Sequence, residues 1–258
     1  MLYQVLAIGD VTGEGGLKHL CRHLRGLRKL KNVDFVVCNG ENASGVGIIP
    51  QQAEDLFGAG VDVITLGNHT WGKNQIADYL EENRYILRPA NFTVRSPGVG
   101  YRVYEMGRAT IGVMNLIGRC DLDFNADNPF LTADKLLKTG EKPTFTVVDF
   151  HAEATSEKLA LGYYLDGRVS AVWGTHTHVP TADEHVSAKG TGYITDLGMT
   201  GPIDSVLGLA PECSVDRFLG GVNKRYREAG GESKLQGALF TLDDQTGHCV
   251  AVERIEIR

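Results

Sequence analysis

The chain has 258 residues, of which 42% are hydrophobic and 22% are charged, and its formal net charge is -6 at pH 7. This length and composition are typical of a soluble globular protein with a core of ordinary size, and the acidic balance disfavours a protein that coats nucleic acid. A phosphate-containing substrate is still compatible with this charge, because bound divalent cations would reverse the local field.

The cysteines and the amino-terminal segment indicate the compartment. The five cysteines are widely spaced and include no Cys-x-x-Cys pair, so neither a disulfide framework nor a thiolate zinc site is expected. The first residues lack a basic region and reach Asp10 too early for a signal peptide. No apolar run approaches membrane-spanning length. We therefore expect a cytoplasmic protein with no membrane segment.

Strands and helices alternate in the first third of the chain. Leu2–Ile8, Val33–Cys38 and Val61–Leu66 are apolar runs typical of strands buried on both faces. The helices predicted between and after them run from about Leu17 to Leu30, from Pro50, and from about Asn74 to Glu82. This alternation predicts a largely parallel sheet with right-handed crossovers.

Polar side chains follow each of these three strands. Asp10 follows the first, Glu41 and Asn42 follow the second, and Asn68 and His69 follow the third. Each has an ordinary alternative explanation: Asp10 as a helix cap or turn residue, the asparagines as turn residues, and His69 as a packed histidine. Ligands collect at the carboxyl ends of strands in parallel sheets, so three such clusters favour a binding site.

The chain changes character after residue 100. Tyr101–Glu105 and Thr110–Asn115 predict a hairpin around Gly107. Phe145–Phe150 is another apolar strand, and it ends at His151. The remaining predicted elements are helices at about Thr132–Lys138, Ala154–Tyr163 and Ser214–Gly220, strands at Thr181–Val186 and Gly192–Thr195, and a final hairpin of Lys234–Asp243 and Cys249–Ile257.

A pair of histidines follows the strand Val169–Trp173. In an extended segment, residues i and i+2 project to the same side, so His176 and His178 are expected to reach one point or two adjacent points. A neutral imidazole is a common ligand for zinc, iron or manganese. Taken alone, the pair is also compatible with an exposed His-x-His that binds nothing.

The residues that follow His151 are candidates for a contact with a phosphate group. Thr155, Ser156 and Lys158 could hold a phosphate group at a helix N-terminus, with helix capping as the alternative for the two hydroxyl groups. No linker, low-complexity tract or internal repeat interrupts the chain, so we expect residues 1–258 to form a single domain. Its expected architecture is two stacked mixed sheets with helices outside.

The donors at the five strand ends form a mixed oxygen and nitrogen set without sulfur. Such a set suits manganese, iron or zinc in a hydrolytic site better than a structural zinc. Eight groups are too many for one ion but suit two, and two ions roughly 3.5–4 Å apart form a clamp for phosphoryl displacement. A carboxylate between the ions could hold that spacing.

The motifs in combination resemble those of a known superfamily. Gly67-Asn68-His69, Gly174-Thr175-His176-Thr177-His178 and Gly9-Asp10 resemble the calcineurin-like metallophosphoesterases. The closest resemblance is to the bacterial YmdB-type cyclic-nucleotide phosphodiesterases, whose second cluster reads Asn-Gly-Glu-Asn as Asn39-Gly40-Glu41-Asn42 does. Thr12 stands where the broad superfamily has the histidine of Asp-x-His, a departure shared with this subgroup.

The resemblance implies a fold, a cofactor and a role for each donor. It implies a four-layer α/β/β/α sandwich with the metal site at the carboxyl ends of the strands, and two metal ions per chain, with iron or manganese favoured over zinc. The roles that it implies are Asp10, Asn42 and His178 on the first ion, Asn68, His151 and His176 on the second, Glu41 bridging both, and His69 as a proton donor free of metal.

The implied reaction is hydrolysis of cyclic nucleotides, with 2′,3′-cyclic forms as the suggested substrates. A metal-bridging hydroxide would attack phosphorus while His69 gives a proton to the departing ribose oxygen. The alternatives are a phosphomonoesterase or nuclease on the same metal centre, and a regulatory protein with little turnover that senses a nucleotide or supports an RNA-processing partner. A homo-oligomer is left open.

Overall fold

The computed structural model describes residues 1–122, 125–139, 142–221 and 227–258. In this part of the chain the helices are α1 (Gly13–Lys31), α2 (Pro50–Ala59), α3 (Ile76–Glu82), α4 (Pro129–Thr139), α5 (Thr155–Leu165) and α6 (Pro211–Phe218). The strands are β1 (Leu2–Ile8), β2 (Asp10–Val11), β3 (Phe35–Asn39), β4 (Val63–Thr65), β5 (Ile86–Leu87), β6 (Tyr101–Met106), β7 (Ala109–Ile117), β8 (Phe145–His151), β9 (Ala171–Thr175), β10 (His185–Val186), β11 (Gly192–Ile194), β12 (Met199–Pro202), β13 (Ser233–Asp243) and β14 (His248–Ile257).

The first sheet has the order β2-β12-β13-β1-β3-β4-β5, and β14 also pairs with β13. Strands β1, β3, β4 and β5 are parallel neighbours, as the strand–helix alternation predicts. The carboxyl ends of β1, β3 and β4 therefore lie at one edge of this sheet. Strand β13 runs antiparallel to β1, which makes the sheet mixed.

The second sheet has the order β10-β11-β9-β8-β7-β6. Strands β7, β8, β9 and β11 are parallel, whereas β6 and β10 run antiparallel at the two ends. The predicted β6–β7 hairpin is confirmed, and Gly107 in its turn has a φ of 63°, which glycine adopts without a steric cost. Strands β8 and β9 deliver the histidine-containing segments to the same edge.

Three apolar layers separate the elements. The two sheets face each other across one cluster, to which β1 gives Val5, β3 gives Val37, β8 gives Phe145 and β9 gives Trp173. On its other face the first sheet packs against α1, α2 and α3. The second sheet packs against α4 and α5. The expected α/β/β/α sandwich of two stacked mixed sheets is confirmed.

Several element boundaries differ from the sequence-based prediction. Helix α1 starts at Gly13, four residues before the predicted start at Leu17. The strand predicted over Thr181–Val186 is limited to His185–Val186. Strands β2, β5 and β12, of two to four residues, were not predicted because a run this short shows no periodicity.

None of the helices in these described ranges has the length and the apolar character needed to span a membrane. The prediction that residues 1–258 form a single domain stays a prediction.

Candidate metal centre

The structure brings the eight predicted donors together at one edge of the two sheets. The first sheet supplies Asp10, Glu41, Asn42, Asn68 and His69, and the second supplies His151, His176 and His178. The donors from the two sheets are in direct contact, because Asn68 Oδ1 lies 2.9 Å and Glu41 Oε1 lies 3.1 Å from His151 Nε2. Residues that are distant in the sequence therefore converge, as the strand-end pattern predicts.

One half of the site is centred on Nε2 of His151. Ligand atoms of Glu41, His151 and His176 all lie within 4.8 Å of one another. The Nδ1 atom of His176 lies 3.1 Å from His151 Nε2. With the amide oxygen of Asn68 beside them, these groups form a mixed oxygen and nitrogen set that suits manganese, iron or zinc.

The other half of the site contains an unpaired carboxylate oxygen. Asp10 is fully buried, and its Oδ2 accepts a hydrogen bond from the backbone N–H of His176 at 3.1 Å, but its Oδ1 has no hydrogen-bond partner. Two ring nitrogens lie beyond hydrogen-bond distance of Oδ1, His151 Nδ1 at 3.8 Å and His178 Nε2 at 3.9 Å. Since an unsatisfied buried oxygen is costly, a cation at this point fits the residues present.

The ring of His178 is held by a backbone carbonyl. Its Nδ1–H donates to the oxygen of Leu207 at 3.1 Å. This bond directs the lone pair of Nε2 toward Asp10 and Asn42, the arrangement that metal-ligating histidines commonly show.

The amide of Asn42 is turned away from this arrangement. Its Nδ2 lies 3.2 Å from His178 Nε2 and 3.2 Å from Glu41 Oε1, and its Oδ1 accepts from His69 Nδ1 at 2.7 Å. Ligation by the amide oxygen would require a half-turn of the amide about its Cβ–Cγ bond. Thr12 takes no part, because its hydroxyl donates to the backbone oxygen of Asp10.

Buried charges shift the pKa values of the facing groups. Burial disfavours the charged form of both Glu41 and His151, but their mutual attraction is stronger. It lowers the pKa of Glu41 to about 2, with help from His69, and raises that of His151 to about 9, with help from Asp10 and Asp149. Burial, together with the charge of His151, lowers the pKa of His176 to about 3.

The loop after β9 reaches the site by a different geometry from the one predicted. Strand β9 ends at Thr175, and His176 and His178 have φ values of 100° and 64° rather than extended backbone. The i and i+2 argument for an extended segment is therefore wrong, although both rings do reach the site. Such backbone is unfavourable for residues other than glycine, so neighbouring contacts must hold it.

A buried ion pair holds this loop. The Nζ of Lys158 on α5 donates to Asp196 Oδ2 at 2.7 Å, and both side chains are almost fully buried. The same oxygen accepts from the backbone N–H and the hydroxyl of Thr177, which separates the two histidines. The proposed phosphate contact of Lys158 is thus wrong, because its ammonium group is committed to Asp196. Neither Thr155 nor Ser156 caps α5, whose N-cap residue is Ala154.

His69 lies at the accessible side of the centre. Its ring is 37% exposed, and its backbone N–H donates to Glu41 Oε2 at 2.9 Å. Nδ1 is occupied by Asn42, so Nε2 is the nitrogen available to a substrate. The preceding Gly67 makes room for this packing, because a Cβ there would overlap His151 and Glu41.

Supporting residues around the donors were not singled out by the sequence analysis. Asp149 and Thr175 lie below His151, Glu153 Oε2 lies 3.1 Å from His176 Nε2, and Asp196 holds the Thr177 loop. Only Asp149 carries a signal in the sequence, as a charged residue inside the apolar run of β8 and two residues before His151. The others follow from tertiary contacts.

The fold and the site define a class of protein. Two facing mixed sheets with oxygen and nitrogen donors at their carboxyl ends define a calcineurin-like metallophosphoesterase, and the resemblance found in the sequence is confirmed. Residues 6–255 match the family described as YmdB-like protein. The chain belongs to that family.

Relatives cover almost the whole chain. It is 44% identical over 256 residues to the 2′,3′-cyclic-nucleotide 2′-phosphodiesterase of Bacillus subtilis (strain 168), covering 98% of this chain and 97% of the relative. A crystal structure of a protein from Thermus thermophilus superposes with a TM-score of 0.92 at 40% identity, covering 98% of each chain. The crystal structure of a phosphatase from Mycoplasma pneumoniae gives a TM-score of 0.93 at 35% identity, covering 100% of this chain and 94% of the other.

Proposed function

We propose that this protein is a metal-dependent phosphodiesterase that hydrolyses 2′,3′-cyclic nucleotides. The substrate class is carried by the 44% identity over 98% of the chain to a relative named for that activity. The convergence of the eight donors supports the metal dependence. A cyclic phosphodiester needs a nucleophile, charge neutralisation at phosphorus and a proton for the leaving oxygen.

Two ions are proposed, with iron or manganese favoured. We assign Asp10, Asn42 and His178 to the first ion, Asn68, His151 and His176 to the second, and Glu41 to both. Two features support the shared role of Glu41: its Oε1 lies 3.1 Å from His151 Nε2 in one half of the site and 3.2 Å from Asn42 Nδ2 in the other. For Asn42 the assignment includes the half-turn of its amide. When bound, the two ions would activate a water molecule and neutralise charge on the phosphoryl oxygens.

His69 is proposed as the proton donor. After the half-turn of Asn42, its amide nitrogen faces His69 Nδ1, so the proton of the ring lies on Nε2, which the partly exposed ring leaves open to the departing oxygen of the substrate. The hydrogen bond from its backbone to Glu41 ties the position of the donor to that of the carboxylate shared by the ions. His69 thus orients and delivers a proton without binding metal itself.

A substrate panel with metal analysis tests the proposal. Protein purified without added metal is analysed for bound metal and assayed on 2′,3′-cyclic AMP, 3′,5′-cyclic AMP, a phosphomonoester and a short RNA. We expect about two ions per chain and turnover of the 2′,3′-cyclic substrate well above the other three. A His151→Ala variant is expected to lose both metal and turnover.

The same panel separates the alternatives. The likeness to a protein titled as a phosphatase favours a phosphomonoesterase as the second candidate, and preferential turnover of the phosphomonoester would establish it in place of the proposal. Preferential cleavage of RNA would indicate a nuclease. Tight nucleotide binding with turnover no greater than that of His151→Ala would indicate a regulatory protein. Such a protein would sense a nucleotide or support an RNA-processing partner.

A further inference from the structure

One buried carboxylate joins four strand ends directly beneath the metal centre. Asp149 on β8 is fully buried between the two sheets. It accepts hydrogen bonds from Thr65 Oγ1 at 2.5 Å, Thr175 Oγ1 at 2.7 Å and Asn39 Nδ2 at 3.3 Å. These donors are the last residues of β4, β9 and β3, and each is followed within three residues by a proposed ligand. Asp149 itself precedes His151 by two residues and therefore lies on the same face of β8.

The direction of the hydrogen bonds determines which nitrogen of His151 carries a proton. An ionised carboxylate can only accept, so the hydroxyl proton of Thr175 is directed to Asp149 Oδ1. The oxygen of Thr175 is then left to accept from His151 Nδ1, which lies 3.0 Å away. A proton on Nδ1 leaves the lone pair of the neutral ring on Nε2, the nitrogen that faces Glu41 and Asn68.

Two kinds of contact compete with this arrangement. In the metal-free protein Glu41 Oε1 and Asn68 Oδ1, at 3.1 and 2.9 Å, favour a proton on Nε2, and a cation bound there would remove that competition. The other contact is weaker. Asn39 Nδ2 lies 3.4 Å from His151 Nδ1 and could in principle donate to it, which would demand the opposite tautomer. The contact with Thr175 is shorter by 0.4 Å, since it measures 3.0 Å against 3.4 Å. Asn39 also has two other acceptors in reach, Asp149 Oδ2 and Thr175 Oγ1. The chain Asp149–Thr175–His151 is therefore the better-formed arrangement.

We propose that Asp149 is a positioning residue that acts through Thr175 to hold the proton of His151 on Nδ1 and so presents Nε2 to the metal centre. The proposal rests on the metal centre proposed above and adds the device that selects the ligating nitrogen. Partners of this kind orient metal-binding histidines, and their loss typically weakens metal affinity about 10–100-fold.

The two threonines provide a matched pair of variants. Thr65→Val and Thr175→Val each remove one hydroxyl from a fully buried strand end, and each removes one hydrogen bond from the same carboxylate. Of these two threonines, Thr175 is the one whose hydroxyl contacts His151. If Asp149 merely ties strands together, the two variants should behave alike. If Asp149 orients His151 through Thr175, the two variants should differ in the tautomer of His151 and in their affinity for Mn²⁺.

The first measurement is made on metal-free protein. Long-range ¹H–¹⁵N spectra at pH 10, above the pKa of about 9 of His151, report the tautomer, with the His151 signals assigned by their loss in His151→Ala. Because Thr175 favours the Nδ1–H form and Glu41 favours the Nε2–H form, we expect both forms in the wild type. The fraction of the Nδ1–H form should be similar in the wild type and in Thr65→Val and smaller in Thr175→Val. Thr175→Ser should restore the wild-type spectrum because it restores the hydroxyl.

The second measurement is a titration of each metal-free variant with Mn²⁺. We expect the affinity of Thr175→Val to fall about 10–100-fold, that of Thr65→Val to stay within about threefold of the wild type, and Thr175→Ser to recover. Equal tautomers and equal affinities in the two valine variants would overturn the role of Asp149. If the wild type itself binds no Mn²⁺, the metal centre fails instead, and the spectra still decide whether Asp149 and Thr175 set the tautomer.

Discussion

His69 is the residue whose proposed role can be separated from metal binding. Replacement with asparagine should leave the metal content unchanged, because the ring is assigned to neither ion. The kcat for a 2′,3′-cyclic nucleotide should fall by about 10²–10⁴, the usual contribution of a positioned proton donor. An activated nitrophenyl ester needs no proton on its leaving group and should lose much less.

Steady-state kinetics with metal analysis checks this prediction. His185→Asn is the matched control, because that histidine is exposed on β10 and its ring bonds to the backbone oxygen of Asp183. An unchanged kcat in His69→Asn at full metal content would remove His69 from the reaction.

His151 couples metal binding to proton release. In the metal-free protein its pKa is raised to about 9, so the ring holds a proton at pH 7 that a cation must displace. His176, with a pKa lowered to about 3, and Glu41, with a pKa lowered to about 2, are already free of protons at this pH. A raised pKa means that the proton leaves only as the pH rises, so binding should strengthen toward pH 9.

We expect Mn²⁺ affinity to increase about tenfold per pH unit between pH 7 and 9 and then to level off. Calorimetry at pH 7 in two buffers of different ionisation heat should show release of about one proton per chain. Affinity that is flat across this range would show that His151 is neutral before the metal arrives.

At the scale of elements, Gly67 decides how closely the loop after β4 approaches β8. A Cβ at this position would overlap the ring of His151 and the carboxylate of Glu41. Gly67→Ala should therefore push the loop that carries Asn68 away from His151 and Glu41 and weaken Mn²⁺ binding by at least tenfold, a loss of about 1.4 kcal/mol or more.

Gly26→Ala is the control for this variant. Gly26 lies within α1, and a Cβ there meets no atom within 4 Å, so alanine should leave metal binding unchanged and stabilise the helix by about 0.5–1 kcal/mol. Mn²⁺ titration and urea unfolding of both variants measure the two effects. Wild-type affinity in Gly67→Ala would mean that the loop can move aside.

The long buried elements were predictable because their patterns are strong. Strands β1, β3, β4 and β8 are apolar runs that end in donors, and chemistry at the ends of parallel strands follows from the topology alone. The start of α1 was not predictable, because glycines are poor helix formers. Gly16 nonetheless lies within α1. A glycine is needed at this position because α1 packs so closely on β12 that a Cβ would overlap the carbonyl of Thr200.

The loop of His176 and His178 shows a second limit of prediction from the sequence. Both residues were correctly expected to reach the site, but their left-handed backbone depends on Thr177, Asp196 and Lys158. Asp196 follows the histidines by about twenty positions, and Lys158 precedes them by a similar distance. No local pattern reports contacts of this range, so the correct outcome was reached through incorrect geometry.

At the scale of the whole molecule, stability depends on the apolar layer between the sheets. Phe145 is fully buried in this layer and packs edge-on against Tyr3 of the opposite sheet, with ring centroids 5.5 Å apart. Phe145→Ala should lower the free energy of unfolding by about 3–5 kcal/mol. Phe218 on α6 is 88% exposed, and its replacement with alanine should change stability by less than about 0.5 kcal/mol.

Urea unfolding of metal-free protein compares these two variants without a contribution from ions. A similar loss in both would mean that the layer between the sheets is not where the stability lies. The four-layer architecture was itself predictable, since strand–helix alternation and the family motifs both indicate it. The pairing of β13 with β14 was predicted as the final hairpin and is confirmed, whereas its pairing with β12 and β1 was not predictable, because it joins distant segments.

The proposed ligands are divided between the two sheets, with Asn68 and Glu41 on one and His151 and His176 on the other. An ion held by both groups would act as a cross-link that pins the layers together at this edge. Sliding of one sheet past the other would then break coordination bonds, so the free energy of chelation would add to that of folding. Chelators should therefore loosen the sandwich first at the edge that carries the chemistry.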